Sequence, residues 1–312
     1  MRKLVVLIVA SLVGVTGVKA QEASAGRGGP PPAAPACPPG GYSPPYYALF
    51  GQNGGDGQTA FEIASPCIGK DVREVAEAIG MGRSRLLGVK NVITIMFSAQ
   101  GTMTEAGGTA KLSKADFHMA YYLPAMRMFL KGTRADGTPL EEIRVFADQY
   151  AWNEAQEGRG ATPAMSTLNA RAPLLKLTPF GAMWSVIEAE GHAVVSKRAD
   201  GRTVLTGTSP HDGIEVSVTV DDQHHNLGPY TVEETIRLPI EVTAKANGHV
   251  YGATFAEYRD DMEPNAWVLF PRLIRWTLDG KPFADLTVTY FRSNPYVVFP
   301  VPDVVKQRSP SF

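Results

Sequence analysis

The part of the chain after Gly191 consists of short strand-like segments separated by tight-turn dipeptides, and this pattern constrains the fold most. In residues 214–221 every second residue is Ile or Val, and the residues between them are polar. This period of two places one set of side chains in a core and the other in water. Asp200-Gly201, Asn247-Gly248 and Asp279-Gly280 are typical of turns between antiparallel strands. The segment therefore predicts a meandering antiparallel sheet.

The other strands are predicted from β-branched and aromatic residues. They fall at residues 92–97, 117–122, 143–147, 194–196, 203–206, 231–236, 249–258, 267–276 and 286–291. Pro124 is expected to interrupt one long, bent strand. The strand that begins at 143 is expected to end near Trp152.

Two regions have helical spacing instead. Residues 71–80 place apolar side chains on one face and charges on the other, which predicts a short amphipathic helix. Residues 162–191 predict a pair of helices broken at Pro179.

Together these elements predict a β-rich α+β fold, in which a curved antiparallel sheet forms an open half-barrel and helices cover its concave face. Such a sheet encloses an apolar concavity. The predicted ligand-binding positions in it are aromatic residues and methionines, since methionine repacks around irregular shapes. They are Phe117, Met119, Tyr121, Met128, Trp184, Trp267 and Trp276. The alternative interpretation is that most of them simply fill a core.

The first 20 residues resemble a cleavable signal peptide. Arg2 and Lys3 precede an apolar stretch that ends in Val18-Lys19-Ala20, and the stretch is shorter than the about 20 residues of a membrane span. An uncleaved anchor is the alternative. We expect the protein to be periplasmic or secreted.

Residues 21–66 form a leader rich in proline and glycine, and the proline and glycine runs in residues 21–45 exclude regular helix and strand there. The predicted half-barrel domain follows at 67–306, with a tail at 307–312. Cys37 and Cys67 are the two cysteines of the chain, and in an oxidising compartment we expect them to pair. Two free thiols or a metal pair are the alternatives.

The charge balance argues against a nucleic-acid partner. The chain has 30 basic and 31 acidic residues, and the basic residues are not concentrated in one stretch. Removal of the first 20 residues takes away three basic residues and no acidic one, so the balance becomes more negative.

The sequence contains no Gly-x-Ser-x-Gly elbow, no phosphate-binding glycine loop and no Ser-x-x-Lys motif. His224 and His225 are adjacent, beside Asp221 and Asp222, in what is expected to be a polar hairpin turn. A metal there is a weak hypothesis, because neighbouring strand residues point to opposite faces. The carboxylates near Glu257 are better explained as a charged strand end than as an acid–base pair. We therefore predict no cofactor and no catalytic residue.

A family resemblance is carried by three stretches: residues 251–260 (YGATFAEYRD), 268–274 (VLFPRLI) and 279–289, which contain Asp279-Gly280 and DLTVT. These resemble lipoprotein-carrier half-barrels of the LolA/LolB type. They are most similar to the non-catalytic N-terminal region of secreted bacterial metallo-β-lactamase-fold hydrolases, whose HxHxDH signature is absent here. The resemblance spans about residues 70–305 and implies a half-barrel with an apolar cavity for acyl chains or another hydrophobic ligand.

These observations predict an exported, non-catalytic protein that binds a lipid, a lipoprotein acyl chain or another amphiphile. Two alternatives remain. One is an envelope scaffold whose proline-rich leader docks a partner protein. The other is a hydrolase with an unrecognised site.

Overall fold

The computed structural model describes residues 92–105, 107–121, 123–189, 193–209, 211–227, 232–259 and 268–307, and also Val72 and Val75. At 224–227 and 232–235 only the backbone is described. The predicted signal peptide, the leader with Cys37 and Cys67, and Trp267 lie outside these residues. Of the helix predicted at 71–80, Val72 and Val75 are described, and both are helical and buried.

Among the described residues, 13 strands form one antiparallel sheet. The strands are β1 (Thr94–Glu105), β2 (Gly108–Ala120), β3 (Ala125–Thr133), β4 (Pro139–Ala147), β5 (Tyr150–Glu154), β6 (Thr162–Pro163), β7 (Val194–Lys197), β8 (Thr203–Thr208), β9 (Glu215–Leu227), β10 (Val232–Ala246), β11 (His249–Arg259), β12 (Phe270–Leu278) and β13 (Lys281–Ser293).

The sheet consists of two meanders that share one seam. Its order is β6-β5-β4-β3-β2-β1-β13-β12-β11-β10-β9-β8-β7, so β1 and β13 join the first meander to the second. Phe97 faces Phe291 across this seam and Phe117 across the β1–β2 ladder. The edge strands β6 and β7 do not pair with each other in the described structure. The sheet is thus curved and unclosed, and the predicted fold class is confirmed.

A helical segment connects the two edge strands. It comprises a 3₁₀ turn (Met165–Thr167), a short α-helix (Leu168–Arg171), a second 3₁₀ turn (Ala172–Lys176) and the buried helix (Pro179–Glu188). Pro179 lies in the first turn of the buried helix, where its missing N–H costs nothing, and Thr178 caps that turn by accepting from Gly181 N. The break predicted at Pro179 is therefore present.

All ten residues of the buried helix are buried, and the helix contacts β8, β9 and β10. Its Phe180 ring is stacked 5.9 Å from both Phe270 and Phe291. Those two rings are themselves stacked at 4.2 Å. Burial of aromatic surface between helix and sheet stabilises this face.

The turn dipeptides behave as predicted. Asn247, Gly248, Asp279 and Gly280 all have positive φ, between 51° and 77°. Two consecutive residues of this kind make the turn whose twist matches that of antiparallel strands.

Two boundary predictions were wrong. Pro124 does not interrupt a strand: it lies in the tight connection between β2 and β3, and β3 was not predicted. The strand that begins near Ile143 does not run to Trp152, because the chain reverses at Asp148, where φ is 53°. Each error joined two antiparallel strands into one, because turns without an Asn-Gly or Asp-Gly pair give a weak signal.

The opposite face of β2–β5 carries a second apolar cluster, which includes Val145, Trp152 and Val305. A buried ion pair lies beside it: Arg127 Nε is 3.1 Å from Glu154 Oε2. Glu154 also accepts from Trp152 Nε1 at 2.9 Å. The guanidinium of Arg127 in addition lies 5.4 Å from the ring centroid of Phe299.

In the part of the chain that the structure describes, no helix is both long and apolar enough to cross a membrane.

Candidate functional site

The candidate site is a cavity of about 530 Å³ at one end of the sheet. It lies where the β1–β2 hairpin, the β3–β4 turn and the helical segment at 167–174 meet. The volume is within the range of small-molecule pockets, about 300–1,000 Å³.

The inner wall of the cavity is apolar. Met103 of β1, Met128 of β3, Leu174 of the helical segment and Phe283 of β13 contribute to it. Each of the first three side chains is at most 4 % exposed. The two thioethers make this wall adaptable, because unbranched methionine side chains change shape easily.

The rim of the cavity carries a network of charges. Arg144 binds two carboxylates: it contacts Glu105, and its Nε donates to Glu142 Oε2 at 2.8 Å. Arg134 contacts Glu142 and lies 3.7 Å from Glu105 Oε2. Each of these two arginines is therefore neutralised by glutamates. Asp136, in the β3–β4 turn, accepts from the backbone N and hydroxyl of Thr138 at 2.9 and 2.7 Å.

Arg171 is different, because its acceptors are neutral. Its Nη1 donates to the carbonyl oxygens of Val145 and Trp152 at 2.9 and 2.7 Å, and its Nη2 donates to Asn153 Oδ1 at 2.6 Å. The residue is only 6 % exposed. Burial, and to a lesser extent the charge of Arg144, lower the pKa of Arg171 to about 10. The side chain thus still carries its charge at neutral pH.

Of the predicted ligand-binding residues, Met128 lines this cavity. The other described members lie in the packed core. Phe117 stacks on Phe97 at 4.5 Å and meets Trp276 edge-on at 5.6 Å. Met119, in the same cluster, is fully buried. Trp267 lies outside the described residues. That these side chains contact a ligand remains a prediction.

The polar atoms of these core aromatics are used within the protein. Trp184 Nε1 donates to Val92 O at 2.7 Å, and Trp276 Nε1 donates to Leu177 O at 2.9 Å. The Tyr121 hydroxyl is 2.7 Å from Thr178 Oγ1. These bonds connect the helical segment to β12, to the end of β2 and to the residue pair before β1.

The sequence-based prediction did not include Met103, Leu174, Phe283 or the arginines. One signal was present: Leu168, Arg171 and Leu175 recur at helical spacing, which places an arginine within an apolar stripe. No comparable local pattern marks the other residues, since their proximity depends on strand pairing.

The expected hairpin turn at His224 and His225 was wrong. Both residues lie in β9, where their backbones pair with Thr235 and Glu234. Glu257, on β11, is exposed and lies 3.3 Å from Arg272 Nη1. The described residues contain no group of three or more His, Cys, Asp or Glu side chains that could hold a metal ion.

Comparisons with known proteins identify little. No protein-family model matches this chain, and no curated protein matches it. Among solved structures, the chain is similar to the LolA superfamily protein NE2245 from Nitrosomonas europaea. The sequence identity is 10%, the match covers 75% of this chain and 96% of that protein, and the TM-score is 0.36. A likeness of this degree does not establish a family.

Proposed function

We propose that this protein is an exported, non-catalytic carrier or binding protein, which takes up a hydrophobic or amphiphilic ligand in the cavity at the end of its half-barrel. The observation that carries the proposal is the cavity itself, which has an apolar wall of methionine, leucine and phenylalanine and, beside that wall, charged groups that include three arginines. This is the arrangement that binding pockets for small amphiphiles have, with apolar walls and a few polar groups that fix orientation.

The sheet and the helical segment support this use. The hydrogen bonds from Trp184 and Trp276 hold the helical segment across the sheet, so the space between them is preformed. A preformed pocket avoids the cost of ordering side chains upon binding. Export is proposed from the first 20 residues, whose charges and apolar stretch resemble a signal peptide.

The first test is native mass spectrometry of the protein purified from its own cell envelope, followed by organic extraction of anything bound. A stoichiometric lipid or other amphiphile would support the proposal. The mass of the denatured protein measures at the same time whether the first 20 residues have been removed.

A second test blocks the cavity. Ala170 is exposed and lines it, so Ala170→Trp adds a large ring there without disturbing the core. Ala199→Trp, at an exposed turn between β7 and β8, is the matched control. We expect Ala170→Trp to weaken binding of a fluorescent single-chain lipid at least about tenfold and Ala199→Trp to leave it unchanged. Equal binding by both variants would contradict binding in this cavity.

A further inference from the structure

Resting on the proposed function, we infer that the cavity selects amphiphiles with one apolar chain and an anionic head group, and that Arg171 is the residue that binds that head group. The shared chemistry is a negatively charged oxygen cluster, either the carboxylate of a fatty acid or a phosphate monoester.

The first step is the unused hydrogen-bonding capacity of Arg171. A guanidinium has five N–H groups, and three of those of Arg171 are used, by Val145, Trp152 and Asn153. The Nε–H and one Nη2–H have no acceptor among the described residues. Among the described residues, Asp116 Oδ1 is the one buried side-chain nitrogen or oxygen that lacks a hydrogen-bond partner. The Nε atom of Arg171, which has no acceptor, is therefore not fully enclosed, and the space that Arg171 lines is the cavity.

The second step is the charge. Three arginines line the cavity, and Arg134 and Arg144 each have glutamate partners. Among the described residues Arg171 has no carboxylate within ion-pair distance. Asp136 also lines the cavity, and its carboxylate accepts hydrogen bonds from Thr138 of its own turn. Arg171 is thus the arginine of the cavity that lacks a direct carboxylate partner, and Glu142 acts on it only through its more distant charge.

The third step is the cost of that charge. Arg171 is buried, and only 6 % of its surface is exposed. A buried charge that lacks a counter-ion is unfavourable, and an anion that enters the cavity would supply the missing partner. The planar, charged guanidinium also matches the geometry of carboxylate and phosphate oxygens, so it favours such groups over a single alcohol oxygen.

The fourth step is the size and placement of the apolar part. The ligand's chain would lie on Met103, Met128 and Phe283, with Leu174 next to Arg171 on the helical segment. A cavity of about 530 Å³ suits one molecule of ordinary small-ligand size. This favours one chain over a multiply acylated lipid.

The test compares four ligands with the same 16-carbon chain and different heads: hexadecanoate, hexadecyl phosphate, hexadecanol and hexadecyltrimethylammonium. Binding to the full chain is measured below the critical micelle concentration, by displacement of a fluorescent probe. We expect both anions to bind at least about tenfold more tightly than the alcohol, and the cation to bind most weakly. Tighter binding of hexadecanoate would indicate a fatty acid as the ligand, and tighter binding of hexadecyl phosphate would indicate a phosphate monoester.

Two variants locate the preference. Arg171→Gln should abolish the difference in affinity between hexadecanoate and hexadecanol, whereas Arg171→Lys should retain part of that difference. Arg275→Met is the control, because Arg275 is an exposed arginine on β12 paired with Asp285 at 3.4 Å. Circular dichroism shows whether Arg171→Gln folds. If it does not, the ratio of hexadecanoate to hexadecanol affinity in the wild type and in Arg171→Lys decides whether Arg171 causes the preference.

Equal affinity of the wild-type protein for all four ligands would overturn the anion preference and leave the proposed function standing. Binding of none of them would overturn the proposed function and the inference with it. An anion preference that Arg171→Gln retains in full would overturn the assignment of Arg171.

Discussion

The hydroxyl oxygen of Tyr121 lies 2.7 Å from Oγ1 of Thr178, and this contact joins the end of β2 to the N-cap of the buried helix. Both groups are buried. Thr178 also accepts from Gly181 N at 3.1 Å, so one hydroxyl serves the helix and the sheet.

We expect Thr178→Ala to lower the free energy of unfolding by about 2 kcal/mol, because it removes the cap and leaves the buried Tyr121 hydroxyl with only a weak acceptor, Met119 Sδ at 3.8 Å. Tyr121→Phe keeps the cap, removes the hydroxyl contacts with Thr178 and Met119, and should cost about 1 kcal/mol. Urea denaturation measures both. The prediction fails if Tyr121→Phe is the more damaging change.

Burial raises the pKa of the Glu188 carboxyl, at the end of the buried helix, above its ordinary value of 4.5, against the attraction of Lys176 and His211. A raised folded-state pKa means that the folded protein binds more protons than the unfolded chain between the two pKa values. Its stability therefore falls as the pH rises through this window, and remains lower above it.

Glu188→Gln should remove this loss of stability with rising pH. The variant should be at least as stable as the wild type at pH 7, and its free energy of unfolding should vary less between pH 4.5 and pH 7. Urea denaturation across this range tests it. The control is Glu215→Gln, whose carboxylate is exposed and paired with Lys245 at 2.6 Å. Parallel profiles for wild type and Glu188→Gln would contradict the prediction.

Replacing only one member of the buried pair Arg127–Glu154 should lower the free energy of unfolding strongly. Arg127→Met leaves Glu154 as an uncompensated buried charge, and we expect a loss of about 3 kcal/mol. The double variant Arg127→Met with Glu154→Gln should recover part of this loss. The same change at the exposed Arg275 should cost less than about 1 kcal/mol. Chemical denaturation of the four proteins gives these values; similar losses for Arg127→Met and Arg275→Met would rule out the buried-charge explanation.

Gly207 allows the buried helix to approach β8 closely. A Cβ there would lie 2.9 Å from Val186 Cα and 3.1 Å from Ser185 O, both backbone atoms of the helix. Gly207→Ala should therefore push the helix from the sheet and cost about 1–3 kcal/mol. Gly107→Ala is the control, because a Cβ there meets nothing within 4 Å. Thermal unfolding compares the two; an unchanged midpoint for Gly207→Ala would show that the helix can move without cost.

Much of the fold could be predicted from local pattern. The buried set Ile214, Val216, Val218 and Val220 follows from alternation alone, because a strand turns successive side chains to opposite faces. The turns at 247–248 and 279–280 follow from residues that tolerate positive φ. The break at Pro179 follows from the missing N–H.

The tertiary structure decided what the buried residues do. Phe117 and Met128 face each other on neighbouring strands, and by sequence they are equally good candidates to line a cavity. Phe117 is covered by Phe97 and Trp276, whereas Met128 meets the open space under the helical segment. The hydrophobic periodicity and the composition of the sequence determine which side chains are buried. Whether a buried side chain meets another side chain or a cavity depends on where distant segments of the chain cross. The same crossings bring neutral acceptors, and no carboxylate, to the guanidinium of Arg171.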